Sequence, residues 1–403
     1  QVPVAQDLKW EQFALEEPVF HGVGDQPETF PEIEDTYDEE AAMREAARCY
    51  RCDTETGSTD YSVRHREDLF SMARTHPKDI DKHRAMLQKR LEVRENPYPP
   101  QRPASLDDLV FLPANLSRLV IDPYREACRI DIDLGQGLKF RQPFLVSGLD
   151  GAPEELRQAA WQAIDDNGAG YVGATPPNRG INWLQTLSSG DSCDPTAGGY
   201  IQRWQEELPK QASISSKNGL RGISISSIED VETAVEFALL AEYDFLLLDS
   251  TGNHGAWHEE LVTQPSFELL VETVMALRNR KKEEVLTLVF SGGVRSGTDA
   301  ARLIAMGASV VTYGVTAAIA MGGEISEGQV VFQSDRSVNE RTEGLKAILN
   351  ANAGEASMMA RCTGKTRLHN LEPEDLRSVT LTTSSITRVP VPGHNVKRLH
   401  DRP

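Results

Sequence analysis

The chain has 403 residues, 42 basic against 61 acidic side chains, a formal net charge of −19 at pH 7 and a hydrophobic share of 39%. The acidic balance argues against a nucleic-acid partner and against an anionic membrane surface, because both select Lys/Arg faces. The apolar share supports a real core, and no apolar run approaches the roughly 20 residues of a membrane span.

The sequence starts at Gln1, not Met, as a processed, trimmed or partial chain would. Gln1–Trp10 lacks the basic-then-apolar order of a secretory leader. An acidic run (Glu32, Glu34, Asp35, Asp38, Glu39, Glu40) precedes an expected helix from Asp38 to Cys49, with Arg44 and Arg48 late in it, an order that suits the helix dipole. A second helix is expected over Ile80–Arg94, where Met86, Leu87 and Leu91 make a thin apolar stripe. Asn96–Pro103, with four prolines, is excluded from helix and central strand and reads as a linker.

Beyond residue 105 short apolar runs alternate with amphipathic segments. Strands are expected at Phe144–Gly148, Gly170–Ala174, Ile223–Ser226, Phe245–Asp249, Leu286–Phe290 and Ser309–Tyr313. Helices are expected at Pro153–Asn167, Ile228–Ala241, Ser266–Arg280 and Thr298–Met306. This alternation argues for α/β architecture: a parallel sheet with crossover helices. Pro176–Leu220 is irregular and hides one or two units or replaces them with loops. A helical stretch over Arg341–Cys362 follows, then a polar tail with Pro390, Pro392 and Pro403 expected along a surface. The five cysteines (Cys49, Cys52, Cys128, Cys193, Cys362) are odd in number and scattered, which points to a reducing, cytoplasmic setting and not to a disulfide framework.

The strongest local signal is Val289-Phe-Ser-Gly-Gly-Val-Arg-Ser-Gly-Thr-Asp299, an apolar strand ending in a glycine pair just before a helix. Glycine lets backbone approach a ligand, and free N–H groups at a helix start favour an anion such as phosphate. Val310-Val-Thr-Tyr-Gly-Val-Thr316 repeats the arrangement one strand later, where barrels place a phosphate site. Tight turns alone are the alternative use of the same glycines.

Ser291–Ala308 followed by Tyr313–Thr316 resembles the FMN phosphate site of the glutamate synthase family, and more weakly that of other FMN barrels and of inosine monophosphate dehydrogenase. Leu248-Asp-Ser-Thr-Gly-Asn-His-Gly-Ala256 resembles that family's glycine-rich turn after the sixth strand. Pro143–Gly148 resembles its first strand, Phe111–Tyr124 its approach to the barrel, and Met358–Gly364 with Leu371–Leu376 the segment after the barrel.

The resemblance implies a (β/α)8 TIM barrel over 105–376 carrying FMN, with an N-terminal helical and extended arm over 1–104 and a C-terminal tail over 377–403. Gly292, Gly293 and Gly314 would contact the phosphate through main-chain N–H groups, with side-chain contacts from Arg295 and Thr316, and Ser291 and Tyr313 would also belong to the cofactor site. Ser147, Gly148, Gly173, Ala174, Thr175, Asp249 and Ser250 would lie near the cofactor at the strand ends. His254, on its glycine-rich turn, is a candidate for proton transfer or ligand contact, against a surface-loop histidine. Lys217 is the nearest candidate for the lysine that this family sets near the flavin, against a solvated loop lysine.

Glu39–Asp53, with Cys49 and Cys52, is similar to part of the FAD- and NAD(P)H-binding small subunit of glutamate synthase, where such a pair opens an iron–sulfur ligand set. A cluster normally takes four thiolates. A cluster completed by another chain, a vestigial site and a docking segment all stay open. The resemblance implies an FAD/NAD(P)H-dependent reductase subunit as partner and an oligomer. The chain departs from the family at Ala317–Gly323, which lacks the cluster cysteines, and at Gly173–Gly180, which replaces the motif after the second strand. These departures support a second expectation, a structural or regulatory barrel without catalysis. Cys193 is a candidate for dehydrogenase chemistry, blunted by its flanking acids. His258, Glu259 and Glu260 match no helix-face metal motif and read as a solvated acidic helix start.

Overall fold

Acidic residues ahead of a basic one start the first helix, α1 (Glu39–Ala47), and the Asp38 carboxylate accepts the N–H of Ala41 at 2.7 Å, which caps it. The computed structural model describes residues 18–22, 34–47, 81, 103–114, 127–188, 190–205, 219–252, 256–333 and 336–392. The chain divides into two units, Gln1–Arg102 and Pro103–Pro403. Besides α1, the first unit holds an antiparallel bridge between Phe20 and Glu34, beside which His21 and Asp35 pair at 3.0 Å. Cys49, Cys52 and nearly all of the helix expected over 80–94 lie outside the described residues.

In the second unit, strand β1 (Leu109–Phe111) and a hairpin of β2 (Ile132–Asp133) and β3 (Lys139–Phe140) precede the barrel. Eight parallel strands then close on themselves. They are β4 (Phe144–Val146), β5 (Gly170–Gly173), β6 (Trp183–Leu187), β7 (Gly199–Arg203), β8 (Leu220–Ile225), β9 (Phe245–Asp249), β10 (Thr287–Ser291) and β11 (Val310–Tyr313). The last pairs with the first, Thr312 opposite Leu145. The expected parallel barrel is therefore complete, and the irregular region contributes two of its strands, β6 and β7.

Among the described residues, helices follow five of the eight strands. They are α2 (Glu154–Asn167) after β4, α3 (Val231–Leu240) after β8, α4 (Trp257–Val262) and α5 (Glu268–Asn279) after β9, α6 (Gly297–Ala305) after β10 and α7 (Val315–Ala320) after β11. No helix is assigned in 174–182, nor in the described part of 188–198. The barrel leads on to a hairpin of β12 (Gly323–Ser326) and β13 (Gln329–Phe332), then to α8 (Val338–Cys362), whose Ser337 and Glu340 form a capping box. Residues 377–392, expected within the tail, continue β14 (Leu376–Ser378), which pairs antiparallel with β1, and carry α9 (Leu381–Thr387). Arg388 ties this segment to Glu272 of α5 at 2.6 Å.

Alternation with period two sorts each barrel strand into an outward and an inward set. Outward residues such as Phe144, Tyr171, Leu246 and Phe290 pack with the helices. Inward residues Leu145, Val172, Leu184, Ile201, Leu247 and Val289 form a separate inner core. Ile132, Leu138 and Phe140 of the hairpin join that core and stopper the N-terminal end, where the Phe140 ring lies against Gly170. Truncating one inner leucine to alanine costs about 2–5 kcal/mol. Further along the inward faces stand Ser147, Thr186, Ser224, Asp249, Ser291 and Thr312, all buried. The interior therefore changes from apolar to polar towards the C-terminal mouth, the end at which barrels carry function.

Among the described residues, no helix is long and apolar enough to cross a membrane.

Candidate functional site

The mouth of the barrel is built on two consecutive turns. After β10, Gly292 and Gly293 adopt φ of +107° and +70°, angles open to glycine and strained for other residues. A side chain on Gly293 would run into Pro265. After β11, Gly314 leads into α7, whose first residue is Val315. The N–H of Gly293 and the N–H of Val315 converge on one carboxylate, that of Glu260 in α4, at 3.0 and 2.8 Å. Each amide meets its own carboxylate oxygen, the arrangement of a small anion cradle. Burial pushes the Glu260 carboxyl up from its ordinary pKa; the bonds from Val315 and Gly293 oppose that shift, and the nearby Asp249 adds to it.

A hydroxyl network supports the glycine turn from below. Thr312 donates to the Ser291 hydroxyl at 2.8 Å, and the Ser250 hydroxyl donates to the Ser291 carbonyl at 2.7 Å. Asp249 accepts from the Thr251 N–H, the Thr251 hydroxyl and the Gly252 N–H, which fixes the turn after β9. On the neighbouring strand, Ser147 N–H donates to the carbonyl of Tyr313 at 3.0 Å, so β4 ends beside the cradle. The Ser147 hydroxyl is fully buried and has no hydrogen-bond partner among the described residues. Gly148 follows with φ +82°.

The structure brings Ser147, Gly148, Ser291, Gly292, Gly293, Tyr313 and Gly314 together on β4, β10, β11 and their turns. It commits several other expected contacts elsewhere. Arg295 pairs with Asp107 at 2.7 Å and with Asp299 at 2.8 Å, not with the cradle. Arg302 adds to Asp299 at 3.2 Å, which makes a four-membered network. Arg295 holds the Asp107 carboxyl below its usual range. The Thr316 hydroxyl donates to the Val294 carbonyl at 2.7 Å. The N–H groups of Ala174 and Thr175 both donate to Asp150 at 2.7 Å, and Tyr171 donates to the same oxygen at 2.9 Å. Beside these, Gly173 admits no side chain, because one would meet the Tyr171 hydroxyl. His254 and Lys217 lie outside the described residues.

Glu260, Val315 and Asp150 are positions of the candidate site that the sequence analysis missed. The expectation of a solvated acidic helix start at Glu259 and Glu260 fails for Glu260, whose carboxylate turns inward onto the turns after β10 and β11. The available signal was its position between the turn after β9 and the turn after β10, at the same end of the barrel. Among the described residues, no group of three or more His, Cys, Asp or Glu is placed to hold a metal ion. Cys193 is exposed, and burial pushes its thiol pKa up, away from a reactive thiolate.

A closed eight-stranded parallel barrel, with main-chain amides of the turns after its seventh and eighth strands meeting on one carboxylate, defines a β/α barrel. The conserved region in glutamate synthase matches residues 210–327. The chain is 24% identical over 387 residues to a glutamate synthase large subunit-like protein of Rhizobium meliloti (strain 1021), an alignment covering 71% of this chain and 87% of that protein. Among solved structures, a flavocytochrome b2 variant with pyruvate bound is similar at a TM-score of 0.47 and 17% identity, covering 72% of this chain and 80% of that one. A mandelate oxidase mutant with the monooxide FMN adduct is similar at 0.44 and 18%, covering 68% and 88%.

Proposed function

We propose that the chain is a flavin-dependent oxidoreductase subunit of the glutamate synthase type. In this reading it holds FMN at the barrel mouth and relays electrons from an FAD- and NAD(P)H-dependent flavoprotein within a multi-subunit complex. The observation that carries the reading is the convergence of the Gly293 and Val315 N–H groups on one anion. The same donors would hold the FMN phosphate, at the strand pair where barrels bind phosphate. Ser147 and Gly148 would line the flavin beside them, and the unpartnered Ser147 hydroxyl is a buried polar group that a ligand would satisfy. When bound, FMN supplies the two-electron redox chemistry. The chain's own residues fix the phosphate, hold the glycine turn on the Ser250–Ser291–Thr312 network and keep the inner barrel dry below it. The arm, with its acidic run and its resemblance to a reductase subunit, is the proposed docking segment. The match of 210–327 to the conserved region in glutamate synthase supports the assignment of type.

The test is reconstitution of the full-length protein with FMN followed by desalting. The reading expects a retained visible flavin band that bleaches with NAD(P)H only when the partner reductase is added. Protein that retains no flavin sinks it.

One observation favours a second reading, a structural or regulatory barrel without catalysis: Glu260 already satisfies both cradle amides. That reading expects removal of flavin from the complex to leave its assembly and activity unchanged. The first expects loss of turnover, restored by FMN.

A further inference from the structure

We propose that Glu260 is a built-in competitor for the phosphate site: its carboxylate holds the Gly293 and Val315 amides in the ligand-free chain and withdraws when a phosphate ester binds. The inference rests on the reading of the cradle as an FMN phosphate site and adds what controls access to it.

Each main-chain N–H makes one strong hydrogen bond, and both amides are spent on Glu260 at 3.0 and 2.8 Å. A phosphate cannot use those amides while the carboxylate does, and two anions at contact distance repel. Without any anion, the half-buried amides on the turns after β10 and β11 would lose their partner, which costs free energy wherever water cannot replace it. Glu260 thus holds the Gly292–Gly293 turn in place before a ligand arrives.

The competitor is mounted so that it can leave. Helix α4 has six residues, none of them fully buried, and Val262 at its end is 60% exposed. Besides its packing on α7, it is fastened to the hairpin that follows the barrel. There the Trp257 ring packs on Phe332 at 5.4 Å, and the His258 imidazole bonds to the Gly328 carbonyl at 2.9 Å. Withdrawal of the Glu260 side chain breaks two hydrogen bonds and leaves those anchors intact. Asp249, at the end of β9, adds like-charge repulsion to the Glu260 carboxylate. Such a device lowers apparent affinity by the fraction of molecules in which the cradle is free.

The experiment is an FMN titration of the full-length protein, read by quenching of flavin fluorescence, for wild type, Glu260→Ala and Glu260→Gln. Circular dichroism checks that each variant is folded, and the isosteric Gln variant serves if Ala destabilises the turn. The expected result is FMN binding at least about tenfold tighter in Glu260→Ala, with Glu260→Gln intermediate because it keeps one acceptor oxygen. Equal or weaker binding in both folded variants, with wild type binding FMN, overturns the inference and leaves the reading of the site standing. No FMN binding by any of the three proteins overturns the reading and the inference with it.

Discussion

Oε2 of Glu260 accepts the main-chain N–H of Val315 at 2.8 Å, so a residue from the segment after β9 closes the turn after β11, 55 positions away. With the matching bond from Gly293, one side chain bridges the two turns that together form the mouth of the barrel. The mouth is therefore held in shape by the chain itself.

Gly293→Ala tests how far that shape depends on glycine. Its φ of +70° is strained for alanine by about 1–2 kcal/mol, and the added carbon meets Pro265. The turn must shift, which moves the Gly293 N–H. The expected outcome is FMN affinity reduced by about tenfold or more with a modest drop in melting temperature, read by flavin titration alongside a thermal melt.

Arg295→Ala separates a ligand contact from a structural one. Its guanidinium is committed to Asp107 and to Asp299, which is 1% exposed. Arg302 still partners Asp299 in the variant, and the Arg295 side chain is 56% exposed, so the cost is discounted to about 1–2 kcal/mol of stability. FMN affinity should stay within about twofold of wild type. A variant of normal stability that loses FMN would return Arg295 to the phosphate site.

Asp107 gives the same network a pH signature. Its carboxyl pKa is lowered by the Arg295 hydrogen bond, against some burial. The stability it contributes is present above the unfolded carboxylate value of about 4 and is lost as pH falls through the lowered folded value. Acid unfolding of Asp107→Asn, followed by circular dichroism, should lack that component.

His369 carries a second pH dependence, of different origin. Its Nε2 bonds to the Ser309 carbonyl at 2.8 Å just before β11, and burial pushes its pKa down. The folded chain keeps the ring neutral where the unfolded chain takes a proton. Stability from this site is complete above about pH 6.5 and falls as pH drops towards the lowered folded value. Urea midpoints compared at about pH 7.5 and about pH 5.5 should fall in wild type and change less in His369→Gln.

The legibility of the fold followed the purity of each pattern. Phe245–Asp249 is apolar through four residues and matched its strand end to end. Strands β6 and β7 were hidden because Gln185, Thr186, Gln202 and Arg203 interrupt their apolar character. The Gln185 amide serves a loop instead, donating to the Ser192 carbonyl and accepting the Asp194 N–H. In the site, the glycine turns were visible because their chemistry is local. Glu260 was not, because its partners lie 33 and 55 positions away and nothing local distinguishes it from Glu259. Arg295 misled for the same reason: it stands beside the glycines in sequence, yet Asp107, 188 positions upstream, claims it.

The central claim is that the Gly293 and Val315 amides form the phosphate site of a flavin nucleotide. The most direct measurement compares the affinities of FMN and riboflavin for the same full-length protein, since the two differ only in the phosphate. Two charge-assisted hydrogen bonds, each of about 1.5–3 kcal/mol, predict FMN binding tighter than riboflavin by at least about tenfold, even after Glu260 is displaced. Equal affinities, or riboflavin preferred, would contradict the account.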